Sequence, residues 1–138
     1  PVLTGNPDLA AAADRMAAHY MEGLAPDTAA TRVRALLLKA MSSGDLDQDG
    51  IALALNQSAS TLQRRLRREG TTYQRVLDTT RRELALEYLT AGEHTLADIT
   101  FLLGFADQSN FTRAFRRWTG TTPRQFLTRQ DDGLRESA

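Results

Sequence analysis

The sequence predicts an all-α fold: two helix-turn-helix subdomains joined by a long linker helix, about seven helices in all plus an extra one at the N-terminus. Two observations predict it. Between turn residues, apolar side chains recur at helical spacing along the chain. A short apolar helix, a turn and a second helix with one apolar and one basic-polar face also occur twice, about fifty residues apart.

Taken in order, Asn6-Pro7-Asp8 offers a capping residue, a first-turn proline and an acid at the positive helix end. Leu9, Ala13, Met16, Tyr20 and Leu24 then share a face, so a helix is predicted over 7–24, ended by Gly23 and Pro26. Its narrow alanine-rich stripe suits packing either within the chain or across a partner. A second helix follows Asp27-Thr28, with Val33, Leu36, Leu37, Ala40 and Met41 inward, until Ser42-Ser43-Gly44. Asp45 or Asp47 can cap a short helix with Ile51, Ala54 and Leu55 inward, and Asn56 follows where the turn needs a left-handed residue. Ser58 caps a helix over 59–69. Leu62 and Leu66 face inward there, Ser60, Gln63, Arg64 and Arg67 face the other way, and Arg65 and Arg68 lie on the flanks.

After Gly70-Thr71-Thr72, a linker helix is predicted over 73–91, anchored by Val76, Leu77, Leu84, Ala85, Tyr88 and Leu89. At 1.5 Å per residue it is about 28 Å long. Thr95 and Asp98 form a capping box for a helix ending at Leu103, and Gly104 supplies the left-handed turn with Phe105 packed behind it. The next helix, over 107–118, puts Phe111, Phe115 and Trp118 inward. A last short helix after Thr122-Pro123 carries Phe126 and Leu127. The polar, acidic segment 131–138 is expected to be a flexible tail.

The two units align closely. Leu62 pairs with Phe111, Leu66 with Phe115, Arg64 with Arg113, and Arg67-Arg68 with Arg116-Arg117. Ile51 and Leu55 match Ile99 and Leu103, and Gly70-Thr71-Thr72 meets Gly120-Thr121-Thr122. Two copies are too few for a solenoid, and suggest a bipartite binder.

Charge follows the repeat. The chain of 138 residues is formally neutral, yet residues 58–82 hold seven arginines against Glu69 and Asp78. Residues 111–130 hold five arginines and no acid, while residues 83–110 hold five acids and no Lys or Arg. Two basic blocks on the second helices of two helix pairs form an electrostatic footprint that the average conceals. If the ligand is DNA, two such helices on one face of a duplex lie roughly 34 Å apart, a separation that a linker helix of this length can hold.

Other classes find little support. The absence of cysteine excludes disulfides and thiolate metal sites, and no apolar run approaches the roughly 20 residues that span a bilayer. His19 and His94 are far apart in sequence, so neither a metal nor a cofactor is expected. There is no nucleophile–base pair or phosphate loop to indicate an enzyme. The alternative to DNA binding is an all-helical protein-interaction module that sets its arginine faces against acidic partners.

The run Gly104-Phe105-Ala106-Asp107-Gln108-Ser109-Asn110-Phe111-Thr112-Arg113-Ala114-Phe115-Arg116-Arg117, with Gly120-Thr121-Thr122-Pro123 and Phe126, resembles the signature of the AraC/XylS transcription regulators. The resemblance covers about residues 30–130. It implies a bacterial, cytoplasmic regulator of two helix-turn-helix subdomains that binds promoter or operator double-stranded DNA, with RNA polymerase as the expected protein partner and no membrane association. The DNA-binding domain is expected over 27–130, with the first unit at about 47–69 and the second at about 95–118. Residues 1–26 are then the end or linker of an N-terminal sensor domain, through which homodimers are expected to form.

By the same resemblance, base contacts fall to Ser60, Gln63 and Arg64 in the first recognition helix, and to Gln108, Ser109, Asn110, Thr112 and Arg113 in the second. Phosphate contacts are expected from Arg65, Arg67, Arg68, Arg116 and Arg117, and Arg81 and Arg82 are expected to brace the linker helix. The sequence departs from the family pattern at Asn56, where glycine is usual. Ala106 replaces a common capping serine, so that Asp107 is the expected cap, and Leu127 replaces a frequent arginine. With its glycine turn, capping box and aromatic core, the second unit is expected to be the more rigid, and the first to carry the more basic helix.

Overall fold

In the computed structural model, residues 27–43 and 47–137 are described, with side chains through Gly133. Among them are seven helices and no strand. These are α1 (Ala29–Ala40), α2 (Gln48–Ala54), α3 (Ala59–Arg68), α4 (Tyr73–Ala91), α5 (Leu96–Leu102), α6 (Gln108–Thr119) and α7 (Pro123–Ser137). A 3-10 turn, Met41–Ser43, follows α1. The helix predicted over 7–24 lies outside the described residues.

The helix starts are set by side chains that take up amide N–H groups otherwise left without partners. Thr28, Asp47, Ser58, Thr72, Thr95 and Asp107 each accept an N–H bond from the residue three positions on. Thr95 and Asp98 close the predicted capping box. A second box, not anticipated, opens α7. Thr122 Oγ1 accepts from the Gln125 N–H at 3.1 Å, and Gln125 Oε1 accepts from the Thr122 N–H at 2.9 Å. The Thr-x-x-Gln spacing was legible in the sequence.

Both predicted left-handed turns are present, with φ of 58° at Asn56 and 78° at Gly104. The linker helix spans the residues expected of it. In α2, Ile51 is buried and Leu55 packs against the core as expected, but Ala52 is buried in place of Ala54, which is exposed. Helix α7 is longer than the short helix predicted. Its backbone stays helical through Asp131 and Asp132 to Ser137, since no proline interrupts it and Gly133 costs only about 1 kcal/mol inside a helix.

Packing joins the two units in one core. Helix α1 lies along α4 and also meets α2 and α3; α5 meets α6, while α7 closes on α4 and α6. The 3-10 turn after α1 packs against α5, so the segment before the first unit reaches the second. Val33, Leu37, Met41, Leu62 and Leu66 from the first half join Leu84 of α4 and Ile99, Leu103, Phe111 and Phe115 of the second half in a single apolar cluster, all fully buried. Across the α1–α4 seam, buried Arg34 pairs with Glu83 at 2.5 Å. Helices α3 and α6 are therefore both anchored in one apolar cluster.

Candidate nucleic-acid interface

Helix α3 separates its residues cleanly. Leu62 and Leu66 are fully buried, and the predicted contact residues Ser60, Gln63, Arg64, Arg65, Arg67 and Arg68 are all exposed. Its first turn carries a chain of polar contacts. Ser58 Oγ accepts from the Thr61 N–H at 3.1 Å and contacts Thr61 Oγ1 at 3.0 Å, while the Arg64 guanidinium donates to Thr61 Oγ1 at 3.2 Å.

Helix α6 repeats the arrangement. Phe111 and Phe115 are fully buried, Ser109, Arg113, Arg116 and Arg117 are exposed, and Gln108, Asn110 and Thr112 are half-buried. Gln108, Ser109, Thr112 and Arg113 line one shallow depression on the outer face. Asp107 Oδ1 accepts from the Asn110 N–H at 2.8 Å, and the Arg113 guanidinium donates to Asn110 Oδ1. Behind the helix, Phe105 stacks at 5.7 Å from Phe111 and 6.1 Å from Trp118, and Phe115 meets Phe126 at 5.8 Å. Trp118, expected inward, is half-buried at the edge of the core.

Side chains that reach from one helix to another hold the two units in place. Arg81 of α4 donates through Nε to the Leu103 carbonyl at 2.9 Å and through a terminal nitrogen to that of Gly104 at 3.3 Å. Its guanidinium carbon lies 4.3 Å from the centroid of the Phe105 ring. A cation thus meets the carbonyl end of α5, where the helix dipole is negative, and lies over an aromatic face. Burial draws this guanidinium below its usual pKa, against the opposing fields of Asp78 and Tyr73. Arg81 thus holds the second unit's turn and does not simply brace the linker helix, and Arg82, expected to act with it, is exposed.

Glu69 plays the matching part for the first unit. Its carboxylate, at the end of α3, accepts from the Ala29 and Ala30 N–H groups at 2.8 and 3.0 Å. Glu69 therefore caps α1. Arg65 lines a groove beside it with Asp27, Arg32 and Gln57. Of the arginines assigned to phosphate, Arg117 lies 3.4 Å from Asp78 of α4, while Arg67, Arg68 and Arg116 are exposed. Sequence reasoning also missed the Arg34–Glu83 pair and Thr61. Only the repeat, which sets Thr61 opposite Asn110, could have signalled the latter.

Residues 51–129 match the family described as helix-turn-helix domain. This chain belongs to the AraC-type helix-turn-helix family. It is similar to the ornithine utilization regulator of Pseudomonas aeruginosa, at 50% identity over 97 residues, covering 70% of this chain and 28% of that protein. It is also similar to the HTH-type transcriptional regulator VirS of Mycobacterium tuberculosis, at 37% identity over 115 residues, covering 81% of this chain and 34% of VirS. The chain thus spans about a third or less of these regulators. Among solved structures it resembles a DNA-binding transcriptional dual regulator from Escherichia coli K-12, with a TM-score of 0.72 and 25% identity, covering 78% of this chain and 96% of that one. It also resembles the C-terminal domain of AraT, a response regulator from Geobacillus stearothermophilus, with a TM-score of 0.66 and 30% identity, covering 72% and 84% of the two chains. These relatives are named as regulators, not enzymes. No described helix of this AraC-type chain is long and apolar enough to cross a membrane.

Proposed function

We propose that this domain binds double-stranded DNA in a sequence-specific way to regulate transcription, with α3 and α6 entering successive major-groove segments on one face of the duplex. The observation that carries the reading is the matched pair of outer faces. Ser60, Gln63 and Arg64 on one helix and Ser109, Thr112 and Arg113 on the other stand at equivalent positions of two units that share one core. Arg65, Arg67, Arg68, Arg116 and Arg117 neutralise phosphates and set the register. Base edges are read by Arg64 and Arg113 at guanine and by the amides of Gln63, Gln108 and Asn110 at adenine, with Ser60, Ser109 and Thr112 making less selective contacts. In the whole protein, an N-terminal domain dimerises the regulator and RNA polymerase is the protein partner of the bound complex.

The test is a spacing experiment on the site recovered by random-duplex selection. Five base pairs inserted between the two half-sites turn them to opposite faces of the duplex, and joint binding is expected to be lost. Unchanged affinity would sink the two-helix reading. A salt titration separates it from a basic protein-interaction module, because only a specific regulator keeps its preference for cognate over scrambled duplex.

A further inference from the structure

The first turns of α3 and α6 share a device that the boxed helices α5 and α7 lack. In α5 and α7, the third residue after the cap reaches back to the cap's own N–H: Asp98 to Thr95 and Gln125 to Thr122. In α3 and α6 the same position holds Thr61 and Asn110, and each instead takes a guanidinium N–H from the arginine three residues further on. Residues three apart are neighbours on a helix surface, so the contact is local and repeats independently in the two units. Cap, third residue and sixth residue form a ladder: Ser58, Thr61, Arg64 in one helix and Asp107, Asn110, Arg113 in the other.

We infer that Thr61 and Asn110 are matched positioning residues that hold Arg64 and Arg113 ready for base readout. The inference rests on the DNA-binding reading above. Its chemical logic lies in the acceptor type. A carboxylate at this position would hold the guanidinium but cancel its charge and compete with the DNA. A hydroxyl or amide oxygen takes a single N–H and leaves the charge uncompensated. Of the five N–H donors of an arginine, four then stay available, enough for a bidentate contact with guanine. Thr61 can accept from both Ser58 and Arg64 because a hydroxyl oxygen has two lone pairs. Restricting the arginine before contact removes part of the entropic cost of ordering it on the DNA. Asn110, assigned to base contact by resemblance, holds Arg113 through Oδ1 and keeps its side-chain NH2 for the base edge.

The experiment measures affinity for the selected duplex, for versions with each base pair substituted, and for a scrambled duplex. R64A first identifies the base pair read by Arg64. T61V, which keeps the β-branched shape and removes the oxygen, is expected to reduce discrimination at that base pair by about threefold to tenfold. Its scrambled-duplex affinity and thermal midpoint should match the parent protein. T61S should restore discrimination, and T61V should add nothing in the R64A background. Equal weakening on cognate and scrambled duplexes, failure of T61S to rescue, or an undiminished T61V effect in the R64A background would each overturn the positioning role. A normal R64A loss with T61V indistinguishable from the parent overturns that role alone. An R64A protein with an unaltered base profile overturns the base-reading assignment of Arg64 and this inference with it.

Discussion

The two helix-turn-helix units present similar basic helices but are supported differently. The second is braced at its turn: Arg81 bonds to the Leu103 and Gly104 carbonyls and lies over Phe105, while Phe111 and Phe115 fill the space behind α6. The first has leucines at the corresponding core positions and an asparagine at its turn, and is fastened at the far end, where Glu69 caps α1. One outward geometry thus arises from two support schemes. The repeat constrains the exposed face and the buried spacing, while the surroundings of each unit differ.

The largest effects should come from the core the units share. Phe115→Ala is expected to cost about 3–5 kcal/mol and Leu66→Ala about 2–5 kcal/mol, against a total of about 5–15 kcal/mol for a domain. Both residues are fully buried in the same cluster. Calorimetry or denaturant unfolding should therefore show one transition, shifted as a whole, with either substitution. Two separated transitions, with only the substituted unit weakened, would break the shared-core description.

How much of this was legible in the sequence depends on how local the cause is. Helix starts, the Thr95–Asp98 box, the left-handed Asn56 and Gly104, and the outward placement of Arg64 and Arg113 all follow from residues within a few positions of one another. Arg34, Glu69 and Arg81 were not legible in the same way. Their partners lie on other helices, Glu69 being 39 and 40 residues from the amides it caps and Arg81 22 and 23 from the carbonyls it holds. A charged residue on a predicted helix reads as solvated until a neighbour is known. The candidate contact residues were legible twice over, from the repeat and from the family resemblance. Thr61 lay in plain view and was passed over, because its role rests on a contact with Arg64 and not on its residue type.

The next test removes the brace that distinguishes the second unit. Arg81→Ala leaves two carbonyls without their cationic partner, and is expected to cost about 1.5–3 kcal/mol in thermal or chemical unfolding. Hydrogen exchange should rise over 95–118 more than over 47–69. A uniform rise, or none, would mean that Arg81 does not set the difference between the units.

The smallest effect, and the sharpest comparison, lies in the turns. Asn56 and Gly104 have φ of 58° and 78°, both in the left-handed region. An L-residue there carries a penalty of roughly 1–2 kcal/mol, which glycine escapes and asparagine partly escapes. Exchanging the two turn residues therefore predicts opposite signs. Gly104→Asn should destabilise and Asn56→Gly should stabilise, each by less than about 1 kcal/mol. The two need not cancel, because the carbonyl of Gly104 is held by Arg81 and Asn56 is exposed. If exchange is faster in 47–69 than in 95–118, as expected, and Asn56→Gly brings it down to the level of 95–118, the turn residue explains that difference. If exchange in 47–69 stays faster while stability rises, the brace and the aromatic core explain it instead.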